Sequence, residues 1–89
     1  MPMFVIERNM PTASLSAADL VAISQKSCSL IRAMAARIEW LQSYVTGDRI
    51  YCVYRADGEA ALREHAAAGG FPADRIVQVR CVIDPGTAE

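Results

Sequence analysis

Three observations along the 89 residues predict an α+β domain with the element order β-α-β-β-α-β. Two β-rich runs meet at a short Gly-containing turn in mid-chain, one segment of helical character flanks them on each side, and a further β-rich run lies towards each end. The composition is that of one soluble globular domain, with 53% hydrophobic and 21% charged residues and a net charge of −1.

Met3 to Arg8 (MFVIER) is a short apolar run rich in β-formers, and the turn-type segment Asn9 to Ser14 with Pro11 ends it. Ser16 followed three residues later by Asp19 imitates a capping box and predicts a helix start. Leu20, Ile23, Ser27, Leu30, Ile31 and Met34 then recur at three- and four-residue spacing, one apolar stripe on a helix ending near Ala36. Ile38 to Val45 and Ile50 to Arg55, joined by Thr46 to Asp48, predict an antiparallel hairpin. Asp57 or Gly58 opens a second helix, and the Gly69-Gly70 pair followed by Pro72 closes it. Arg75 to Ile83 alternates as a last strand, and the polar tail after it is expected to fray. One domain over residues 1–89, with an ordered core of about 3–84, is expected.

This order is the split β-α-β arrangement of ferredoxin-like domains. Right-handed crossovers place both helices on one side of a four-stranded antiparallel sheet and leave the other side bare. Period-two alternation assigns Leu41, Ser43, Val45, Tyr51, Val53, Val77, Val79, Cys81 and Ile83, the more apolar set, to the side beneath the helices. The uncovered side would then carry Ile38, Trp40, Gln42, Tyr44, Ile50, Cys52, Tyr54, Ile76, Gln78, Arg80 and Val82. Glu7 joins it, because a carboxylate beneath the helices is costly unless paired. So much apolar surface predicts a two-fold homodimer, with Ile38, Trp40, Ile50 and Val82 at the interface. The polar members Glu7, Gln42, Tyr44, Tyr54 and Arg80 would pair across it, Glu7 with Arg80, or line a ligand pocket.

Several function classes are disfavoured. There is no basic excess or aromatic-basic interleaving for nucleic acid. No apolar run approaches the ~20 residues that span a bilayer, and the N-terminus lacks a signal-peptide pattern, so a cytoplasmic location with no membrane partner is expected. No GxSxG, GxGxxG or GxxxxGK[ST] motif occurs. Cys28, Cys52 and Cys81 lie in apolar runs without CxxC spacing, which predicts reduced, core-packed thiols. The single histidine, His65, lies at the edge of the second helix's apolar stripe, as a hydrogen-bonded core residue or as a general base oriented by Tyr51 or Ser43.

The runs FVIER, WLQSYV, YCVY, REHAAAGGFPADRI and VRCVIDP together resemble a small bacterial domain-of-unknown-function family whose characterised member is a nickel-binding protein. Trp40, Ser43-Tyr44, Tyr51-Cys52, His65-Ala66 and Gly70-x-Pro72-x-Asp74 carry the resemblance across nearly the whole chain. It implies a ferredoxin-like homodimer that sequesters nickel or another divalent metal. It also implies a histidine between the Trp and the Ser-Tyr, where this chain has Gln42, which leaves His65, with Glu64 or Glu7, as metal-ligand candidates. The alternative is a cofactor-free small-molecule-binding protein, or an enzyme of the dimeric α+β barrel type with its pocket on the sheet.

Overall fold

The computed structural model describes residues 1–89. Strands β1 (Met3–Asn9), β2 (Ile38–Val45), β3 (Arg49–Ala56) and β4 (Arg75–Gln78) alternate with helices α1 (Ala17–Ala33) and α2 (Glu59–Gly69) in the order β1-α1-β2-β3-α2-β4. The strands form one antiparallel sheet, β2-β3-β1-β4. This is the ferredoxin-like α+β fold. No helix is long and apolar enough to cross a membrane.

The helix ends follow their local chemistry. Ser16 Oγ accepts from the Asp19 N–H at 3.1 Å while the Asp19 carboxylate accepts from the Ser16 N–H at 2.9 Å, a complete capping box that opens α1. These bonds, the Ser16 backbone N–H foremost, hold the Asp19 carboxyl below its ordinary range. At the other end of α2, Gly70 takes φ 68° in the left-handed region, which glycine enters without a Cβ penalty. β4 ends at Gln78 rather than reaching Ile83. The tail expected to fray instead forms a short 3-10 turn, Pro85–Ala88, with the Asp84 carboxylate accepting from the Thr87 N–H at 3.3 Å.

The two faces of the sheet differ in part from the sequence expectation: Glu7, Gln42, Tyr44 and Ser43 face as expected, and others do not. The core is Phe4 and Ile6 of β1, Ile50, Cys52, Tyr54 and Ala56 of β3, and Leu62 of α2, with Ile38, Trp40 and Ile76 packed against it. Ile38, Trp40 and Ile50, expected at a dimer interface on the bare face, therefore point into the helix layer, as does Tyr54. Val82, the fourth, lies in the exposed tail beyond β4. Conversely, Tyr51 and Val53 pair with Glu7 and Val5 on the uncovered face, and Val77 is also there, opposite Val5. Arg49 and Arg55 explain the inversion: they share the parity of Tyr51 and Val53, so that parity beneath the helices would bury two guanidinium groups.

In β2 a bulge between Trp40 and Gln42 breaks the alternation. Trp40 pairs opposite Tyr54 and Ser43 opposite Cys52, so both face the helices, while Gln42 and Tyr44 face away opposite Val53 and Tyr51. Trp40 Nε1 donates to Ser43 Oγ at 2.9 Å across this irregularity.

Truncation of Ile50 to Ala is expected to lower unfolding free energy by about 2–5 kcal/mol, the usual cost of emptying a core site. Val53→Ala, on the uncovered face of the sheet, is expected to cost less. Urea melts at matched slope measure both, and a larger loss for Val53→Ala would contradict the face assignment.

Candidate functional site

Alternation along β1 sends Phe4, Ile6 and Arg8 to the helix side, so the strand that supplies two core residues also carries a guanidinium into the interior. Arg8 is only 4% exposed. Its Nη1 donates to the Pro72 carbonyl at 2.6 Å, its Nη2 to the Tyr54 hydroxyl at 3.4 Å, and its Nε to the Cys52 thiol at 3.4 Å. Every one of these acceptors is uncharged. None of the chain's five ion pairs includes Arg8. A buried charge without a counter-ion costs several kcal/mol, offset in part here by the Phe71 ring, whose centroid lies 5.6 Å from the guanidinium carbon.

Phe71 is placed by the turn that ends α2. A Cβ on Gly69 would stand 2.4 Å from the Phe71 ring, so only glycine admits the ring where it lies. The Phe71 N–H closes on the Ala66 carbonyl at 2.9 Å, and Pro72 follows with its carbonyl aimed at Arg8. The Gly69 to Pro72 segment thus forms one end of a cavity of about 480 Å³ between α1 and the sheet, inside the roughly 300–1,000 Å³ range of small-molecule sites. Leu20, Ile23 and Val45 give it apolar walls, Ser24, Ser27 and Ser43 add hydroxyls, and Arg8, Cys52 and Tyr54 form its polar floor. Lys26 stands at the rim, its ammonium 5.5 Å from the Phe71 ring centroid. No Asp or Glu lines this cavity.

Burial is the main cause that pushes the Tyr54 phenol above its ordinary pKa, with the nearby Cys52 adding to the rise and Arg8 opposing it. Tyr54 therefore stays a protonated hydroxyl at neutral pH. Next to the cavity, His65 is fully buried, its ring 5.9 Å from that of Tyr54 and 5.6 Å from that of Phe71. His65 Nε2 lies 3.2 Å from Ser27 Oγ and 3.4 Å from the Ser27 carbonyl. A carbonyl can only accept, so the proton belongs on Nε2 and Nδ1 keeps its lone pair, which has no partner. In that tautomer the imidazole donates to Ser27 and cannot take its hydroxyl proton. The pair ties α2 to α1 and makes no general base for Ser27. Burial lowers the His65 pKa below 6.5, and the positive charge of Arg8 acts in the same direction, against the bond to the Ser27 backbone.

The residues singled out in the sequence are scattered. Glu7 is on the uncovered face, accepting from Arg49 Nη1 at 2.6 Å rather than from Arg80. Gln42 donates to the Tyr44 hydroxyl on that same face, and Arg80 lies exposed beyond β4. Tyr54 alone of the pocket candidates lines the large cavity. The orienting partners considered for His65 are elsewhere: Tyr51 faces away from the helices and the Ser43 hydroxyl accepts from Trp40. All three cysteines are free thiols, but only Cys52 is buried. Cys28 is half-buried and Cys81 exposed, because β4 ends before reaching it. Arg8, Ser27, Lys26 and Phe71 went unremarked as site residues, although strict alternation from Phe4 already places Arg8 inside.

The model of the family described as nickel responsive protein SCO4226-like matches residues 4–79. The chain belongs to this family. A solved neighbour is SCO4226 from Streptomyces coelicolor A3(2), with a TM-score of 0.79, 16% identity, and coverage of 91% of this chain and 99% of that one. At that identity the likeness is one of fold. No curated protein matches the sequence.

The donor set of this family member does not fit a nickel ion within one chain. No three His, Cys, Asp or Glu side chains converge anywhere in the chain. The candidate ligands are kept apart: His65 is enclosed between the helices and the sheet, Glu64 is exposed on α2, and Glu7 is across the sheet in its ion pair with Arg49.

The lowered His65 pKa has a defined effect on stability. Between that value and 6.5 the unfolded chain binds a proton that the folded chain does not, so unfolding free energy rises with pH there. The His65 contribution is complete above pH ~6.5 and declines as pH falls, by at most about 1.4 kcal/mol per pH unit. Wild type should therefore lose stability from pH 6.5 to 5.5 in chemical denaturation, and His65→Gln should not lose it over that interval. Equal slopes for the two proteins would contradict a neutral buried imidazole.

Proposed function

We propose that this family member is a small ligand-binding protein, that it works as a homodimer, and that its ligand site is the cavity between α1 and the sheet. The observation that carries this reading is the cavity itself: about 480 Å³, apolar on its walls, with convergent hydroxyl and guanidinium groups on its floor. A side chain that only packed the core would not need that combination.

The dimer rests on the uncovered face. Met3, Val5, Leu41, Tyr44 and Val53 lie there around a second depression that Val82 of the tail also borders. Two ion pairs, Arg49–Glu7 and Arg55–Glu39, are on the same face. Apolar residues interleaved with both signs of charge suit a self-complementary contact with a second copy. Val53→Glu is expected to yield a folded monomer in sedimentation analysis at concentrations where wild type is dimeric. A monomeric wild type at high micromolar concentration would remove the dimer from the proposal.

The cavity is tested with N-phenyl-1-naphthylamine, a neutral apolar fluorophore. It should bind wild type with enhanced emission, and Ser24→Phe, which adds a ring at the cavity wall, should weaken it at least tenfold. Failure to bind wild type, or equal binding to the variant, would count against the cavity as the site.

The family's description favours a second reading, a nickel-linked role. On that reading the metal would need ligands from two copies. Calorimetric titration of nickel at pH 7.5 separates the two accounts: the cavity reading expects no stoichiometric binding, whereas tight binding that survives His65→Ala would favour the nickel reading.

A further inference from the structure

We propose that the cavity's ligand is an organic carboxylate with an apolar body, its carboxylate held by the Arg8 guanidinium and the Tyr54 hydroxyl. This rests on the reading of the cavity as a ligand site and names what enters it. The first ground is the charge on its floor. Arg8 is 4% exposed, belongs to none of the ion pairs, and, apart from the Phe71 ring beside it, meets only a carbonyl, a phenol and a thiol, all uncharged. A guanidinium has five N–H donors, and three contacts are made here, two of them at 3.4 Å, the long end of hydrogen bonding. Each Nη thus keeps one N–H beyond these bonds, and a carboxylate, a planar two-oxygen acceptor, is the anion that a guanidinium binds best.

The second ground is the chain's distribution of acids. Ten Asp and Glu residues are present, yet none lines the cavity, while two cations, Arg8 and Lys26, do. An anion entering from the rim passes Lys26 and meets no carboxylate of the protein. The third ground concerns size and class. One buried guanidinium with one protonated phenol suits a single negative charge, and the Leu20, Ile23, Val45 and Phe71 side chains provide the surface for the rest of the molecule. A doubly charged phosphate would want more donors than this floor offers.

The probes are octanoate against octanamide, which have the same chain and differ in charge, with inorganic phosphate as competitor, read by calorimetry and by the emission of Trp40, which lines the cavity. Octanoate is expected to bind wild type at least tenfold more tightly than octanamide, and phosphate at equal concentration is expected not to displace it. In Arg8→Met the preference should fall to about unity. Tyr54→Phe, a milder change, should weaken octanoate several-fold and octanamide less, because the hydroxyl's bond to a charged acceptor is the stronger. That variant keeps the test decisive should Arg8→Met fail to fold. Equal affinity of the two probes for wild type, or an undiminished preference in either variant, would overturn the carboxylate assignment while leaving the cavity as a binding site. Displacement by phosphate would overturn it in favour of phosphate recognition. If neither probe binds wild type, the cavity reading fails with it.

Discussion

The placement of Arg8 is the constraint on which the rest of this structure turns. It follows Phe4 and Ile6 on the inward parity of β1, so the strand at the centre of the sheet cannot bury its apolar residues without also burying a guanidinium. Moving Arg8 outward by a one-residue slip would bring Glu7 inward and break its ion pair with Arg49. The interior is arranged around that charge: the Pro72 carbonyl, the Tyr54 hydroxyl and the Phe71 ring all converge on it. Space left open above it makes the cavity.

Two small backbone devices give that space its shape. The bulge after Trp40 turns both the indole and the Ser43 hydroxyl to the helix side, which strict alternation along β2 would forbid. The Gly69-Gly70 turn ends α2 and, because Gly69 has no Cβ, lets Phe71 fold back against the end of the helix it follows. His65 and Ser27 then bind α2 to α1 behind the cavity, with the imidazole kept neutral by its burial. The polar groups of the interior are therefore of two kinds: a helix-to-helix tie already satisfied at Nε2, and a floor whose charge lacks an opposite.

Membership of a nickel-responsive family and the absence of converging ligands within the chain are compatible findings. A shared ferredoxin-like frame carries many kinds of site, since the sheet and helices set the scaffold and a few side chains set the chemistry. In this chain the chemistry gathered in one place is that of an apolar pocket with a cationic floor, and the metal-ligating residue types are spread over different faces.

Element order, the capping box at Ser16, the hairpin and the Gly70 stop were legible in the sequence because each depends on contacts within a few residues. The two faces were legible only in part: Glu7, Gln42 and Tyr44 lie on the uncovered side and Ser43 beneath the helices as alternation assigns them, whereas β3, β4 and the start of β2 are reversed. Choosing by apolar content put Ile38, Trp40, Ile50 and Tyr54 outside, whereas cross-strand register placed them inside, paired with a β1 parity on which Arg8 is the exception and Arg49 and Arg55 are kept out. The extra residue at Leu41 leaves no mark in composition, and a single such residue reverses the facing of everything beyond it along that strand. The candidate site was still less legible, since Arg8, Ser27, Tyr54 and Phe71 are far apart in the chain and only packing α1 and the α2 turn onto the sheet brings them together. Local propensity and capping act over a few residues, so the sequence by itself determined the elements and their order; burial of charge is settled by long-range pairing, so tertiary structure alone decided which face each residue serves and where an uncompensated guanidinium would lie.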